Sequence, residues 1–123
     1  MYYRALNKHT NKWFYGGIYP DGSFFGFANP RIDENTKCQF TTKKDLKGID
    51  IYTNDIVKVK VEEGLFVKDF IGIIEFFEGT FYIKKEDKPF GQSRTPLFSK
   101  SHNIEIIGNI FQNENLLKPV VSE

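Results

Sequence analysis

From Asp55 onward the chain alternates. Val57, Val59 and Val61 fall on one side of an extended backbone, and Lys58 and Lys60 fall on the other. That is the period of a half-buried β-strand. Residues 39–48 leading up to it read as a polar turn region. Ile51-Tyr52 reads as a short extended piece and Thr53-Asn54 as a tight turn. Asp55 then caps the turn amides while Ile56-Val57 enters the core. The segment reads as part of a small β-barrel and carries no catalytic chemistry.

The rest of the chain repeats the pattern. Tyr2 to Leu6 reads as a first strand, Asn7 to Lys12 as a polar turn and Trp13 to Tyr19 as the return strand. Gly16-Gly17 marks a bend in that return strand. Pro20-Asp21-Gly22 is a hairpin signal, because proline presets φ, Asp caps and Gly accepts positive φ. Ser23 to Phe27 follows as a strand. Residues 28–48 are polar and turn-rich, with a short strand at Lys37 to Thr41, and are expected to join two parts of the fold. Phe70 to Phe77 reads as a largely buried strand, and both faces at Phe76-Phe77 are expected to be covered. Glu78-Gly79 is a two-residue turn, and Thr80 to Lys85 returns. Residues 86–101 read as a long exposed loop interrupted by Leu97-Phe98. Ile104 to Phe111 is the last strand, with Gly108 at a bulge. Asn113 to Leu117 reads as a capped helical turn, and residues 118–123 as a frayed tail.

Composition supports the β reading. Aromatic residues make up 16% of the 123 positions, with thirteen Phe and six Tyr, while Ala occurs only at Ala5 and Ala28. That balance disfavours helix and favours strand. The expected fold is all-β: N-terminal hairpins and a connecting loop over residues 1–48, then an SH3-like barrel over residues 49–117, forming a single domain. The net charge of +1 selects no partner. Residues 1–60 hold ten Lys/Arg against six Asp/Glu, and residues 61–123 hold seven against ten. The sole cysteine, Cys38, has no disulfide partner within the chain. No apolar run reaches the roughly 18 residues of a membrane span, and the N-terminus does not read as a signal peptide. A cytoplasmic protein is expected.

Three segments of the sequence resemble the YopX family of small phage and prophage proteins. Tyr3-Arg4-Ala5-Leu6-Asn7-Lys8 is similar to the family's Phe-Arg-Ala-Trp-Asp-Lys opening, and Lys12-Trp13-Phe14-Tyr15 follows it. Gln39-Phe40-Thr41, Asp45, Gly48, Ile51-Tyr52 and Asp55-Ile56-Val57 follow its central pattern. Glu105-Ile106-Ile107-Gly108-Asn109-Ile110-Phe111, then Asn113 and Leu116-Leu117, resembles its closing one. Two departures stand out. The family's Thr-Gly is Thr41-Thr42 here, and its Glu-Gly-Asp is Thr53-Asn54-Asp55. Asn tolerates positive φ, so the second turn is expected to survive. Thr42 is β-branched and strained there, so the first turn is expected to differ. The resemblance implies an all-β fold with a C-terminal barrel and a phage or prophage origin. It implies no established activity, and it brings no catalytic residues to carry over.

Catalytic patterns are missing from the sequence. His9 lies in a polar turn and His102 at a loop edge, and neither has a partner at ligand spacing. Cys38 alternates with Phe40 and reads as a small core hydrophobe. Asp50 and Asp55 flank a turn, and Glu62-Glu63 and Glu86-Asp87 are loop pairs in water. No Gly-rich loop opens a helix, so no phosphate cradle is present. The structural turn positions are Asn54, Asp55, Gly79 and Gly108. What remains is a surplus of aromatics. Trp13, Tyr15, Tyr19, Phe24, Phe25 and Phe27 crowd the N-terminal hairpins, and neighbours such as Phe24 and Phe25 must face opposite sides. The expected function is a non-catalytic module that binds a protein partner or itself through these residues. It needs no cofactor, metal, membrane or small-molecule substrate. The alternative is a nucleic-acid-binding barrel using Lys43, Lys44, Lys47, Lys58 and Lys60, with Tyr52 to stack.

Overall fold

The computed structural model describes residues 2–18, 24–25, 32–60, 69–87, 91–97 and 103–117. The fold is all-β and consists of two five-stranded antiparallel sheets. Strands β1 (Tyr2–Leu6), β2 (Trp13–Ile18), β3 (Phe24–Phe25), β4 (Cys38–Lys44) and β5 (Asp50–Tyr52) form the first. Their spatial order is β3-β2-β1-β4-β5. Strands β6 (Asp55–Val59), β7 (Phe70–Phe77), β8 (Thr80–Asp87), β9 (Gly91–Pro96) and β10 (Ile104–Asn109) form the second. Their order is β10-β6-β7-β8-β9. A four-strand meander is thus followed by a fifth strand that returns to pair with the first. The pairings among the described residues leave β9 and β10 as the two edges, so the expected closed SH3-like barrel is not what they form.

Local chemistry sets the turns. Asn7 Oδ1 accepts the amides of His9 and Thr10, closing the polar turn between β1 and β2. Glu78 and Gly79 both take positive φ, +47° and +84°. This is what a two-residue hairpin turn requires, and it sets Phe77 opposite Thr80. The register of β10 against β6 shifts between Ile106 and Gly108. A Cβ on Gly108 would lie 2.7–2.8 Å from the Asn113 side chain, so this bulge needs glycine for space. The Asn113 carboxamide in turn accepts the Asn109 amide, at the entrance to a short 3₁₀ turn over Glu114–Leu117.

Three elements differ from expectation. The strand expected at residues 37–41 is longer, running Cys38–Lys44, and pairs with both β1 and β5. Inside it, Thr42 holds φ +70° at a register irregularity between Phe40 and Lys44. The backbone keeps the conformation that suits glycine even though Thr stands there. Thr41 enforces it: its Oγ1 donates to the Ile51 carbonyl and accepts the Lys43 amide. Thr42→Gly is expected to raise stability by about 1 kcal/mol, relief of the strain less the entropy of a freer unfolded chain. Urea unfolding would check it. The second difference is β9, which occupies part of the expected 86–101 loop and pairs with β8 along its length. The third is Phe76 and Phe77, which are 48% and 38% exposed rather than covered. They sit beside the Glu78-Gly79 turn that closes the β7–β8 hairpin, at the margin of the packed core. Val61, Tyr19 to Ser23, and the proposed frayed tail lie outside the described residues.

Among the described residues an apolar core lies on one face of the second sheet. Val57, Val59, Ile74, Ile83, Leu97 and Ile104 are fully buried there, together with Ile51 from β5. Phe70, Phe81 and Ile106 close its edges. Ile51 thus ties the first sheet to the core of the second. Asp45 makes a second tie: its buried carboxylate accepts the amides of Lys47, Ile49 and Ile106. On the other face of the second sheet, Glu75 of β7 reaches Lys84 on β8 and Arg94 on β9. One oxygen accepts Arg94 Nε at 2.6 Å and the other lies 3.4 Å from Lys84 Nζ. Burial pushes the Glu75 carboxyl upward, but the Arg94 hydrogen bond and the Lys84 charge outweigh it and hold the group below its ordinary value. Its contribution to stability is therefore fully present above the ordinary value of 4.5 and is lost as pH falls through the depressed one. Glu75→Gln is expected to unfold earlier in urea than wild type at neutral pH, and the gap should close as pH falls through the depressed carboxyl value.

Candidate interaction surface

Antiparallel partners share a face of a sheet. Arg4 lies opposite Tyr15 and Cys38, Leu6 opposite Trp13, and Phe40 opposite Tyr52. One face of the first sheet therefore gathers Arg4, Trp13, Tyr15, Cys38, Phe40 and Tyr52. Arg4 is at its centre and only 7% exposed. Its guanidinium lies 3.9 Å from the Trp13 ring centroid and 4.7 Å from that of Tyr52. Nη2 donates to Asp55 Oδ1 at 2.5 Å. The second Asp55 oxygen accepts the Tyr52 amide, so the expected turn cap is present and carries a buried ion pair as well. Burial pushes the Asp55 carboxyl above its ordinary value, and the Arg4 charge and Tyr52 amide pull it only part of the way back.

Cys38 is fully buried beside Arg4. Its Sγ donates to the Thr36 carbonyl at 3.2 Å and faces Asn54 Nδ2 at 3.6 Å. Burial raises the thiol pKa despite the nearby Arg4 charge, which disfavours the thiolate a nucleophile requires. Burial, and next the Asp50 charge, push the Tyr52 phenol up.

Aromatic rings extend this centre outward. Trp13 meets Phe111 edge-on at 6.4 Å. Tyr52 meets Phe40 at 5.4 Å and Tyr15 at 5.8 Å. The result is a continuous ladder, Phe111–Trp13–Arg4–Tyr52, branching to Phe40 and Tyr15. Its middle is buried and its ends are open: Tyr15 is 53% exposed and Phe111 36%. Trp13 and Phe40 are half-buried. Gln112 anchors the Phe111 end by donating from Nε2 to the Asn11 carbonyl.

Of the aromatics singled out in the sequence, Trp13 and Tyr15 come together here. Phe24 and Phe25 form β3, with side chains outside the described residues, as are Tyr19 and Phe27 altogether. The lysines are interleaved with carboxylates. Lys44 pairs with Asp50 at 2.8 Å. Lys47 and Lys60 both approach Glu105, at 3.3 and 3.8 Å. Lys58 is exposed and sits opposite Glu105 in register, and Lys43 is half-buried. Tyr52 is 5% exposed, so its ring is covered by Arg4 and its aromatic neighbours and is closed to a stacking base. His9 is exposed in its turn, and His102 lies outside the described residues. Among the described residues no group of three or more His, Cys, Asp or Glu could hold a metal, and no helix is long and apolar enough to cross a membrane.

The sequence reading passed over Arg4, Phe40 and Phe111. For Arg4 a signal existed: it shares the side of Leu6 in a strand of otherwise aromatic and apolar residues. A charge at that parity calls for a buried partner.

The profile of the YopX protein family matches residues 26–118. The chain belongs to the YopX family. Phe40, Tyr52, Asp55 and Phe111 fall inside the matched stretch, while Arg4, Trp13 and Tyr15 precede it. Protein EF1440 from Enterococcus faecalis, known from a crystal structure, shares the fold with a TM-score of 0.60 at 17% identity. The alignment covers 96% of this YopX chain and 99% of that one. No curated protein matches the chain.

Proposed function

We propose that this YopX protein is a non-catalytic interaction module of phage or prophage origin, acting in the bacterial cytoplasm. Its aromatic ladder is the surface that another protein covers, with a second copy of the chain as the first occupant. The observation that carries this reading is the open end of the ladder: Tyr15 stands 53% exposed over a rigid platform of Tyr52, Arg4 and Trp13. Rigid aromatic anchors beside a fixed arginine are what interface centres are made of, because they lose little entropy on docking. Among the described residues nothing comparable supports chemistry. The one thiol is buried, and Asp55 is fully engaged by Arg4 and a backbone amide.

Light scattering on nuclease-treated protein, with absorbance at 260 and 280 nm across the same peak, tests the reading. Wild type is expected above monomer mass and free of nucleic acid. Tyr15→Ser should move the peak toward monomer while changing stability by less than about 0.5 kcal/mol, as exposed substitutions do. A wild-type monomer at all concentrations would overturn self-association. A peak that retains 260 nm absorbance and loses it with salt would favour the nucleic-acid alternative.

A further inference from the structure

Where the two sheets meet, they leave a cavity of about 400 Å³, within the size range of small-molecule sites. Its walls come from Tyr3 of β1, β4 and Lys37 just before it, the Thr53-Asn54 turn, β7, β8 and the chain after β10. Backbone hydrogen bonds lock these walls together. The Thr53 amide donates to the Gln39 carbonyl, the Asn54 amide to the Ile74 carbonyl, and the Ile110 amide to the Asn54 carbonyl, all at 2.9–3.0 Å. A ligand would therefore meet a preformed space and would not need to order a loop.

The lining has a definite chemistry. Ile73 and Ile110 supply an apolar wall, and Gln39 and Thr53 supply hydrogen-bonding groups. The charged residues of the lining are Lys37, Lys84 and Glu75. Glu75 already has a strong partner in Arg94, which donates to it at 2.6 Å from outside the lining. The Arg94 charge balances that carboxylate, which among the described residues leaves the Lys84 ammonium, 3.4 Å from it, as surplus positive charge at the cavity wall. An anion entering beside Lys84 would offset that charge.

We propose that this cavity is a binding site for a small organic anion: a compact apolar or planar body against Ile73 and Ile110, with one carboxylate or phosphate on Lys84. The site is separate from the aromatic ladder, which lies on the opposite face of the first sheet, so the two assignments stand or fall independently.

Titration of ¹⁵N-labelled protein with phenyl phosphate, benzoate and inorganic phosphate tests the site. The expected result is saturable shifts of the Asn54, Ile74 and Lys84 amides with phenyl phosphate or benzoate, and weaker ones with inorganic phosphate, which has no apolar body. Lys84→Gln should weaken binding about tenfold, the loss of one charged contact, while the same spectra report that the variant is folded. Lys37→Gln offers a second charge-removing variant should Lys84→Gln disturb the Glu75 bridge. Saturation by inorganic phosphate alone, with equal strength, would make it an adventitious ion site and overturn the proposal. So would the absence of saturable shifts at these amides with all three probes up to about 10 mM, or equal binding by wild type and both variants.

Discussion

Asp55→Asn is expected to lower stability by about 3–5 kcal/mol, the range for removing one side of a buried ion pair. The substitution is chosen to isolate charge. Asn retains an oxygen for the Tyr52 amide, so the turn cap persists while Arg4 is left cationic at 7% exposure. Arg4 has few ways to recover, because its Nε already lacks a partner and its flat faces are covered by Trp13 and Tyr52. Combining Asp55→Asn with Arg4→Met should restore much of the loss, since the pair itself is costly to desolvate. The raised Asp55 value agrees with that cost. By itself a raised value would make the neutral side chain the better one in the fold, with stability lost as pH rises through it; the loss expected for Asp55→Asn at neutral pH rests on the 2.5 Å contact to Arg4 outweighing that burial. Urea midpoints of the two single variants and the double variant, read at constant m, measure the coupling. A cost below about 1 kcal/mol for Asp55→Asn would mean that Arg4 reaches water.

Leu97→Ala is expected to cost about 2–5 kcal/mol. Leu97 is fully buried with Ile74, Ile83 and Ile104, at the exit of β9. In an exposed loop the same change would cost no more than about 0.5 kcal/mol. The substitution thus tests whether β9 and the residue after it belong to the second sheet. A urea midpoint within error of wild type would return residues 91–97 to the loop that the sequence alone implies.

The contrast between these two residues explains what was legible in the sequence. Alternation made β6 readable, and β7, β8 and β10 were readable as apolar and aromatic runs, β7 and β8 beside the Glu78-Gly79 turn signal. β9 has no such period. Gly91-Gln92-Ser93-Arg94-Thr95-Pro96 is polar throughout, and it is an edge strand held by backbone pairing to β8. Edge strands with Arg and Pro are built that way, so polarity there looks like a loop. Thr42 was misjudged for a different reason. Its local preference argues against positive φ, but the neighbouring Thr41 hydroxyl and the flanking pairs with Tyr52 and Asp50 hold the backbone in place. The turn role of Asp55 could be read locally. Its partner Arg4 lies 51 positions away, and nothing local connects the two. The ladder was half visible for the same reason: Trp13 and Tyr15 are neighbours in one strand, whereas Phe111 reaches them only through the folded chain.

The ladder is also convenient to observe. Trp13 is the only tryptophan, and it lies between Arg4 and Phe111. Its emission therefore reports on the proposed surface alone. The most direct measurement is acrylamide quenching of Trp13 fluorescence as the protein is diluted across the micromolar range. If the aromatic face is covered by a second copy, quenching is weak and the emission blue-shifted at high concentration. Both should revert on dilution, and Tyr15→Ser should show the diluted signal throughout. Quenching that is identical at every concentration, in wild type and Tyr15→Ser alike, would contradict the assignment of this face as the self-interface.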